Sequence, residues 1–359
     1  MPEIKIDLFS DTMTKPTAEM RHFMCNAEVG DEQKGEDPTV NLLQEMVAEL
    51  LGKPAALFLP SGTMCNQIAF LLHCRPGDEI LLDRTAHPLN SEGGGPAALA
   101  GAMVMPLQGV RGVFSAEQVK AAVRPITRYQ PKTRVVSVEQ TSNMGGGTVW
   151  PLQTVGRVCD VAHENSLRTH MDGARLLNAV VASGVPAKEF AAGFDSVWID
   201  FSKGLGAPVG AALAGSQEFI QEAWQWKQRL GGAMRQAGII AAAGVFALRQ
   251  HVGRLAVDHD NAKFLARGLA ELRAIGLNPD EVETNIVIHD ISRTGRTARE
   301  IVDDLLNHGL RMSVVSPDRL RAVTHLDISR KDVEEALQIV KRVVEKQDFD
   351  PPKPRLATS

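Results

Sequence analysis

Residues 196–206 have the sequence SVWIDFSKGLG, and this stretch decides the fold class. Its first four residues form a short apolar run that predicts a strand, and Lys203 follows with glycines after it. Similar short runs occur at residues 55–59, 79–82, 134–138 and 168–171, with helix-like stretches between them. This alternation predicts an α/β fold with a mostly parallel sheet covered on both faces. Ligands of such sheets lie beyond the carboxyl ends of the strands, so we expect Lys203 in a crevice there.

The chain length of 359 residues is typical of a large domain joined to a smaller one. We predict an N-terminal arm at 1–17, a large domain at 18–250, a smaller C-terminal α+β domain at 251–346 and a flexible tail at 347–359. In the smaller domain, Thr297 with Glu300 forms a capping box that predicts a helix through Leu306. Ser329 can cap a second helix that ends near residue 345.

Composition excludes several classes of function. Hydrophobic residues make up 44% of the chain and charged residues 23%, with a net charge of −4, so we expect no nucleic-acid partner. The four cysteines show no C-x-x-C spacing, so we expect reduced thiols and no metal site. No apolar run approaches the ~20 residues that span a bilayer, and the N-terminus lacks a signal-peptide pattern. We therefore expect a cytoplasmic protein without a membrane partner.

Two polar groups follow adjacent predicted strands. Lys203 could form a Schiff base with an aldehyde cofactor if burial and nearby cations lowered its pKa. Asp172 and Arg175 end the preceding strand region, and their spacing allows both to reach one site. An Asp can keep a pyridine nitrogen protonated, and an Arg can bind a carboxylate through two hydrogen bonds. An ordinary surface lysine and a local Asp172–Arg175 ion pair are the simpler alternatives.

A glycine turn at residues 60–64 (PSGTM) lies between a predicted strand and a predicted helix. The N–H groups of a helix N-terminus, with the hydroxyls of Ser61 and Thr63, would form a phosphate cup around Gly62. A simple helix cap is the alternative interpretation. The sequence contains neither the P-loop pattern nor G-x-G-x-x-G at this point.

Taken together, these motifs resemble the threonine aldolase and β-eliminating lyase family of fold-type I pyridoxal-phosphate (PLP) enzymes. The matching stretches cover nearly the whole chain in family order: residues 6–12 (IDLFSDT), 35–40 (GEDPTV), 60–63 (PSGT), His87 with Glu92, 171–175 (MDGAR), 202–210 (SKGLGAPVG), 234–238 (MRQAG) and 321–327 (RAVTHLD). The resemblance implies retro-aldol cleavage of a β-hydroxy-α-amino acid, such as threonine or allo-threonine, to glycine and an aldehyde.

The resemblance also implies roles for individual residues. It makes Lys203 the Schiff-base lysine, Asp172 the partner of the ring nitrogen, and His87 the residue that stacks on the ring and is a candidate base. Further cofactor contacts are implied for Ser61, Gly62, Thr63, Met64, Arg175 and Ser202, and for Arg235 toward the phosphate of a neighbouring subunit. Substrate contacts are implied for Ser10, Lys34, Ser142, Arg175 and Arg321. The family is commonly a homotetramer built as a dimer of dimers.

Three positions depart from the family pattern. Ser142 stands where threonine-cleaving members usually have a histidine, Lys34 replaces a usual tyrosine, and Phe9 replaces a usual arginine. Ser142 is a poor general base near neutral pH. Lys34 adds a cation, which favours as an alternative a more polar or acidic β-hydroxy amino acid as substrate. The other hypotheses are β-elimination, transamination, a nucleotide-binding dehydrogenase and a PLP protein without turnover.

Overall fold

The computed structural model describes residues 2–345, and the predicted tail at 347–359 lies outside the described residues. The strands are β1 (Ile6–Asp7), β2 (Ala55–Leu59), β3 (Asp78–Asp83), β4 (Met103–Leu107), β5 (Lys132–Glu139), β6 (Arg168–Gly173), β7 (Ser196–Asp200), β8 (Ala211–Gly215), β9 (Ile286–Asp290), β10 (Leu310–Arg311), β11 (Ser313–Ser316) and β12 (Arg319–Val323). The α-helices are α1 (Ala18–Cys25), α2 (Pro38–Leu51), α3 (Gly62–His73), α4 (His87–Asn90), α5 (Gly95–Ala98), α6 (Ala116–Ala122), α7 (Leu152–Glu164), α8 (Leu176–Ser183), α9 (Ala187–Ala191), α10 (Gln217–Arg229), α11 (Gly238–Gln250), α12 (Leu255–Ala270), α13 (Ala298–Asn307) and α14 (Arg330–Glu345).

A seven-stranded sheet with the order β2-β8-β7-β6-β5-β3-β4 forms the centre of the large domain. Strand β8 runs antiparallel to both of its neighbours, and the other pairings are parallel. Apart from β4 at one edge, the strands are almost continuously buried because helices cover the sheet, as the apolar runs predict. The predicted α/β fold with a mostly parallel sheet is confirmed.

The C-terminal part has its own three-stranded antiparallel sheet, β11-β12-β9, packed with helices α12, α13 and α14. Thr297 and Glu300 form the predicted capping box at the start of α13, and the Ser329 hydroxyl accepts the N–H of Asp332 in the first turn of α14. Two features of the boundary are visible only in the structure. Strand β1 pairs with β10, so the N-terminal arm joins the second core. Helix α12 begins just after the predicted boundary at residue 250, yet it contributes Leu255 to the core of the large domain (the first core) and Leu265 to the core of the C-terminal part (the second core).

None of the helices in the described part of the chain is long and apolar enough to cross a membrane.

Candidate active site

A crevice of about 540 Å³ lies at the carboxyl ends of the parallel strands. Its position follows from the topology, because the loops after β2, β3, β5, β6 and β7 all leave the sheet at the same edge. Ten of the predicted site residues line this one crevice: Ser10, Ser61, Gly62, Thr63, His87, Asp172, Arg175, Ser202, Lys203 and Arg321. These residues are scattered along the chain and converge at this one crevice.

Four predicted residues do not line the crevice: Lys34, Met64, Ser142 and Arg235. Lys34 is exposed at the end of a short 3-10 helix, and Arg235 is exposed with its guanidinium 3.0 Å from Asp31. The Ser142 side chain is buried against Gly112, while Thr141 and Asn143 on either side of it line the crevice. A single chain therefore does not bring Lys34, Ser142 or Arg235 to the site.

The Lys203 amine pairs with the carboxylate of Asp200, which is almost fully buried at the end of β7. The direct partner of this lysine is therefore an anion, while the cations Arg175 and Arg321 line the same crevice. The reason is local, because Asp200 ends the strand three residues before Lys203 and its other oxygen accepts both the N–H and the hydroxyl of Ser202 at 2.8 Å. The turn after β7 is thus held closed while the lysine points into the crevice.

Asp172 lies on β6, beside β7, and forms the floor of the crevice. One of its oxygens accepts the Asn66 amide at 2.9 Å, and the other accepts the N–H of Ala174 at 3.1 Å. Burial and, secondly, the nearby charge of Glu139 raise the pKa of Asp172 to about 7. A cation placed beside this carboxyl would favour its ionised form, which is what a protonated pyridine nitrogen requires.

His87 begins α4 and faces the crevice with 41% of its side chain exposed. Its Nδ1 lies 2.9 Å from Glu92, and this hydrogen bond raises the pKa of the imidazole. The backbone N–H of His87 donates to Glu139 at 2.7 Å, and Glu139 also accepts the N–H of Asn143. Buried carboxylates therefore fix both the main chain and the ring of His87.

The loop after β2 places the N-terminus of α3 at the crevice. Ser61 is the N-cap, and its hydroxyl accepts the N–H of Met64 at 3.2 Å. The first N–H groups of a helix have no intrahelical acceptor, so Gly62 and Thr63 can bind an anion. Gly62 also permits a close approach, because a Cβ there would lie 2.2 Å from the Trp198 ring.

The two predicted carboxylate-binding arginines differ in their partners. Arg175 does not pair with Asp172, so the local ion pair considered above is wrong. Arg175 instead binds Asp11 through two 2.7 Å hydrogen bonds, and both groups are buried.

Arg321 binds neutral acceptors: the side chains of Asn143 at 2.7 Å and Ser313 at 3.2 Å, and the carbonyl of Phe9 at 3.4 Å. Burial and the charge of Arg175 lower the pKa of Arg321 to about 10, because both disfavour its cation. An incoming carboxylate would relieve that penalty, so Arg321 is the better carboxylate ligand of the two.

The crevice fits PLP by the chemistry of its donors. It offers an amine at Lys203, an acid at Asp172 for the ring nitrogen, and a helix N-terminus at Gly62 for the phosphate. The hydroxyl of Thr141, which also lines the crevice, is buried without a hydrogen-bond partner among the described residues. Such an unsatisfied hydroxyl is costly unless a ligand completes it.

A model of the β-eliminating lyase family matches residues 7–292 of this sequence. The chain belongs to the β-eliminating lyase family, and with this fold and crevice it is a PLP-dependent lyase of fold type I.

Three similar proteins are named as threonine aldolases. The low-specificity L-threonine aldolase of Escherichia coli K12 is 40% identical over 331 residues, which are 92% of this chain and 96% of that protein. Low-specificity L-threonine aldolase 1 of Arabidopsis thaliana is 39% identical over 333 residues, which are 91% and 93% of the two chains. The solved threonine aldolase of Leishmania major shares the fold, with a TM-score of 0.82 at 20% identity over 94% of this chain and 99% of that one.

Sequence reasoning missed several residues that build the site. Asp11, Asn66 and Asp200 have no role in the predictions, although each directly contacts a predicted residue. Asp200 had a usable signal, because a carboxylate that ends an apolar strand beside the key lysine has to be paired. Asp11 and Asn66 had none, because their partners lie 164 and 106 residues away in the chain.

Proposed function

We propose that this protein cleaves the Cα–Cβ bond of threonine-like β-hydroxy-α-amino acids, giving glycine and an aldehyde. One observation carries the proposal: Lys203 and Asp172, from adjacent parallel strands, share a crevice with the Arg321 cation. The threonine aldolases at 39–40% identity support the choice of this reaction within the family. The location we propose is the cytoplasm.

The residues of the chain divide the work. Bound PLP would supply an electron sink for the bond that breaks at Cα. Lys203 supplies the amine that holds the cofactor, and Asp172 supplies the negative charge for its ring nitrogen. Arg321 binds the substrate carboxylate and fixes rotation about the bond from Cα to nitrogen. Asp200 lies where it can bind the Lys203 amine when that amine is free.

We propose that His87 is the base that accepts the proton of the substrate β-hydroxyl. The family histidine is absent at Ser142, and the Ser142 side chain packs away from the crevice. His87 lines the crevice and has an exposed ring edge, and Glu92 holds its Nδ1. Its other nitrogen can therefore face a substrate and accept a proton.

The test is a substrate screen with threonine, allo-threonine, phenylserine, serine and β-hydroxyaspartate, in which glycine and aldehyde are measured. Wild-type protein should turn yellow with PLP and release glycine. The Lys203→Ala variant should stay colourless and inactive, whereas Lys188→Ala, at an exposed lysine on α9, should behave as wild type. Release of ammonia and a keto acid without glycine would instead establish elimination and refute the proposal.

A more polar β-hydroxy amino acid stays the alternative substrate, and it depends on Lys34. Glu32, two residues before Lys34, donates its N–H to the carbonyl of Arg235 at 2.9 Å, so the segments of Lys34 and Arg235 form one exposed surface. We propose that a second copy of the chain presents this surface to the crevice, within a homotetramer. Under the alternative, Lys34→Tyr shifts the preference between threonine and β-hydroxyaspartate; an unchanged preference would exclude a role for Lys34 in selectivity.

A further inference from the structure

A continuous chain of hydrogen bonds leads from Asp172 through the protein to the end of the sheet opposite the crevice. Asp172 accepts the Asn66 amide at 2.9 Å, and the Asn66 oxygen lies 3.0 Å from Nε2 of His170. Nδ1 of His170 lies 2.8 Å from the Ser196 hydroxyl, and that hydroxyl lies 2.7 Å from Nε2 of His73. The three inner members, Asn66, His170 and Ser196, are fully buried.

The secondary structure explains this alignment. His170 and Ser196 are direct neighbours in the parallel register of β6 and β7, and Asp172 lies two residues beyond His170 on the same face. Asn66 and His73 are seven residues apart on α3, so both lie on the face of that helix that covers these strands. One helix and two strands therefore supply every group in the chain of hydrogen bonds.

The orientation of the Asn66 amide is fixed by its other contacts. The indole N–H of Trp198, which can only donate, lies 2.7 Å from one amide atom, so that atom is the oxygen. The amide nitrogen faces two carboxylates, Asp172 at 2.9 Å and Glu92 at 2.7 Å. A flipped amide would direct its oxygen at both carboxylates, which is unfavourable.

The direction of every remaining hydrogen bond follows. The oxygen of Asn66 can only accept, so His170 donates from Nε2. Burial lowers the pKa of His170 to about 3 and that of His73 to about 4, so both rings are neutral at neutral pH. Nδ1 of His170 is then an acceptor, the Ser196 hydroxyl donates to it, and His73 donates from Nε2 to the hydroxyl. All the donors point toward Asp172.

We propose that His73, Ser196 and His170 are positioning residues that hold the Asn66 amide toward Asp172 and so stabilise the ionised carboxylate. Aligned hydrogen bonds polarise one another, so the loss of an outer member weakens the donor at Asp172. This inference rests on the proposed role of Asp172 as the partner of the cofactor ring. It predicts that a residue outside the crevice, His73, contributes to the affinity for PLP.

His73 is suited to a test because it lies at the end of α3 beside a separate cavity of about 660 Å³. Its ring also stacks on Phe219, with centroids 5.0 Å apart. Two substitutions separate stacking from hydrogen bonding. His73→Gln keeps an N–H donor and removes the ring, whereas His73→Phe keeps the ring and removes the donor.

The first measurement is the dissociation constant for PLP, obtained by absorbance titration of folded apoprotein. We expect His73→Phe to weaken binding on the order of threefold and His73→Gln to bind almost as wild type does, since one net hydrogen bond is worth a small factor. Ser196→Ala, which interrupts the chain of hydrogen bonds, should weaken binding at least as much as His73→Phe. If His73 contributes only through packing, the order of the two PLP affinities reverses, and His73→Gln binds PLP more weakly than His73→Phe.

The second measurement needs no cofactor. Nitrogen-15 spectra of the apoprotein at neutral pH should show both His170 and His73 as the Nε2–H tautomer. Ser196→Ala should shift the Nδ1 signal of His170, and His289, a buried histidine in the second core, should keep its signals as the internal reference. A His170 ring protonated on Nδ1 would overturn the assigned directions.

The two measurements separate failure of the inference from failure of the proposed function. Correct tautomers with unchanged PLP affinity in both His73→Phe and Ser196→Ala would overturn the coupling to Asp172. Loss of yellow colour in wild-type protein would overturn the proposed function and leave the tautomers standing. Unfolding curves of each variant establish that a change in affinity is not loss of the fold.

Discussion

The imidazole of His87 faces the crevice while its Nδ1 is held 2.9 Å from Glu92. This hydrogen bond favours the protonated ring and raises the pKa above the usual value, with burial as the opposing effect. A base must be deprotonated before it can accept the substrate proton. If His87 is that base, the rate rises as the pH passes upward through its raised pKa.

The pH dependence of kcat/KM tests this role of His87. We expect an acid limb above the ~6.5 of a free imidazole, and a fall in rate of about 10²-fold or more in His87→Asn. Glu92→Gln removes the cause of the raised pKa, so its acid limb should move to lower pH. Glu189→Gln, at an exposed glutamate on α9, is the control and should leave the profile in place. An acid limb that persists in His87→Asn would assign the base to another group.

The residue scale also shows how far the sequence could lead. Lys203 and Asp172 could be placed at one site because each lies at or just beyond the carboxyl end of a strand, and these ends of a parallel sheet converge. The partners that hold them were not, since Asn66 comes from a helix and Asp11 from the N-terminal arm. Which donor pairs with which acceptor depends on packing distances that no local pattern encodes.

Helix α3 contributes to the site at its N-terminus and along one face. Its first turn is aimed at the crevice, and the face that carries Asn66 and His73 covers β6 and β7. The approach of the helix depends on Gly62, where a Cβ would lie 2.2 Å from the buried Trp198 ring. Trp198 in turn donates to Asn66, so a shift at Gly62 would also disturb the support of Asp172.

Two glycine substitutions test this packing. Gly62→Ala should lower the free energy of unfolding by about 1–3 kcal/mol, because the methyl group overpacks the contact with Trp198, and it should weaken PLP binding. Gly156→Ala is the matched control, since it lies within α7 and a Cβ there meets nothing within 4 Å. It should raise the free energy of unfolding by about 0.5–1 kcal/mol through helix propensity. Chemical denaturation measures both, and equal effects would contradict the packing argument.

Element boundaries show the limit of pattern reading. The sequence of residues 311–315 predicts one strand, whereas the structure has two short strands that separate at Met312. The sequence of residues 321–325 predicts another strand, and β12 instead spans Arg319–Val323. Beyond Val323, Thr324 still donates its backbone N–H to the carbonyl of Asn285, but its hydroxyl binds the carbonyl of Asp258 and the ring of His325 binds the carbonyl of Asp7. Both contacts are distant in sequence.

At the scale of the molecule, helix α12 contributes to both hydrophobic cores, and the N-terminal arm runs from the second core to the crevice. Ile6 and Leu8 pack in the second core, and Asp11, a few residues on, binds Arg175 in the crevice. The sequence predicts two units with a boundary at residue 250, and it could not reveal that the arm contacts both of them. The sequence of the arm does not indicate which strand it pairs with, and the structure shows that this strand is β10.

Assembly of several chains could bring Arg235 to a site, because Arg235 is exposed and lies outside the crevice of its own chain. If a second copy supplies Arg235 to the site, Lys203→Ala and Arg235→Ala chains should each be impaired alone and should complement each other when co-refolded. A mixed pair then carries one site with both native residues, so random pairing restores about a quarter of wild-type activity. If each site used residues of one chain only, no mixed pair would contain a native site, and activity would stay at the level of the separate variants.

Arg249→Ala, at an exposed arginine near the end of α11, is the control and should be active alone. Failure to complement, with mixed oligomers demonstrated by mass, would therefore place the phosphate-binding groups within a single chain.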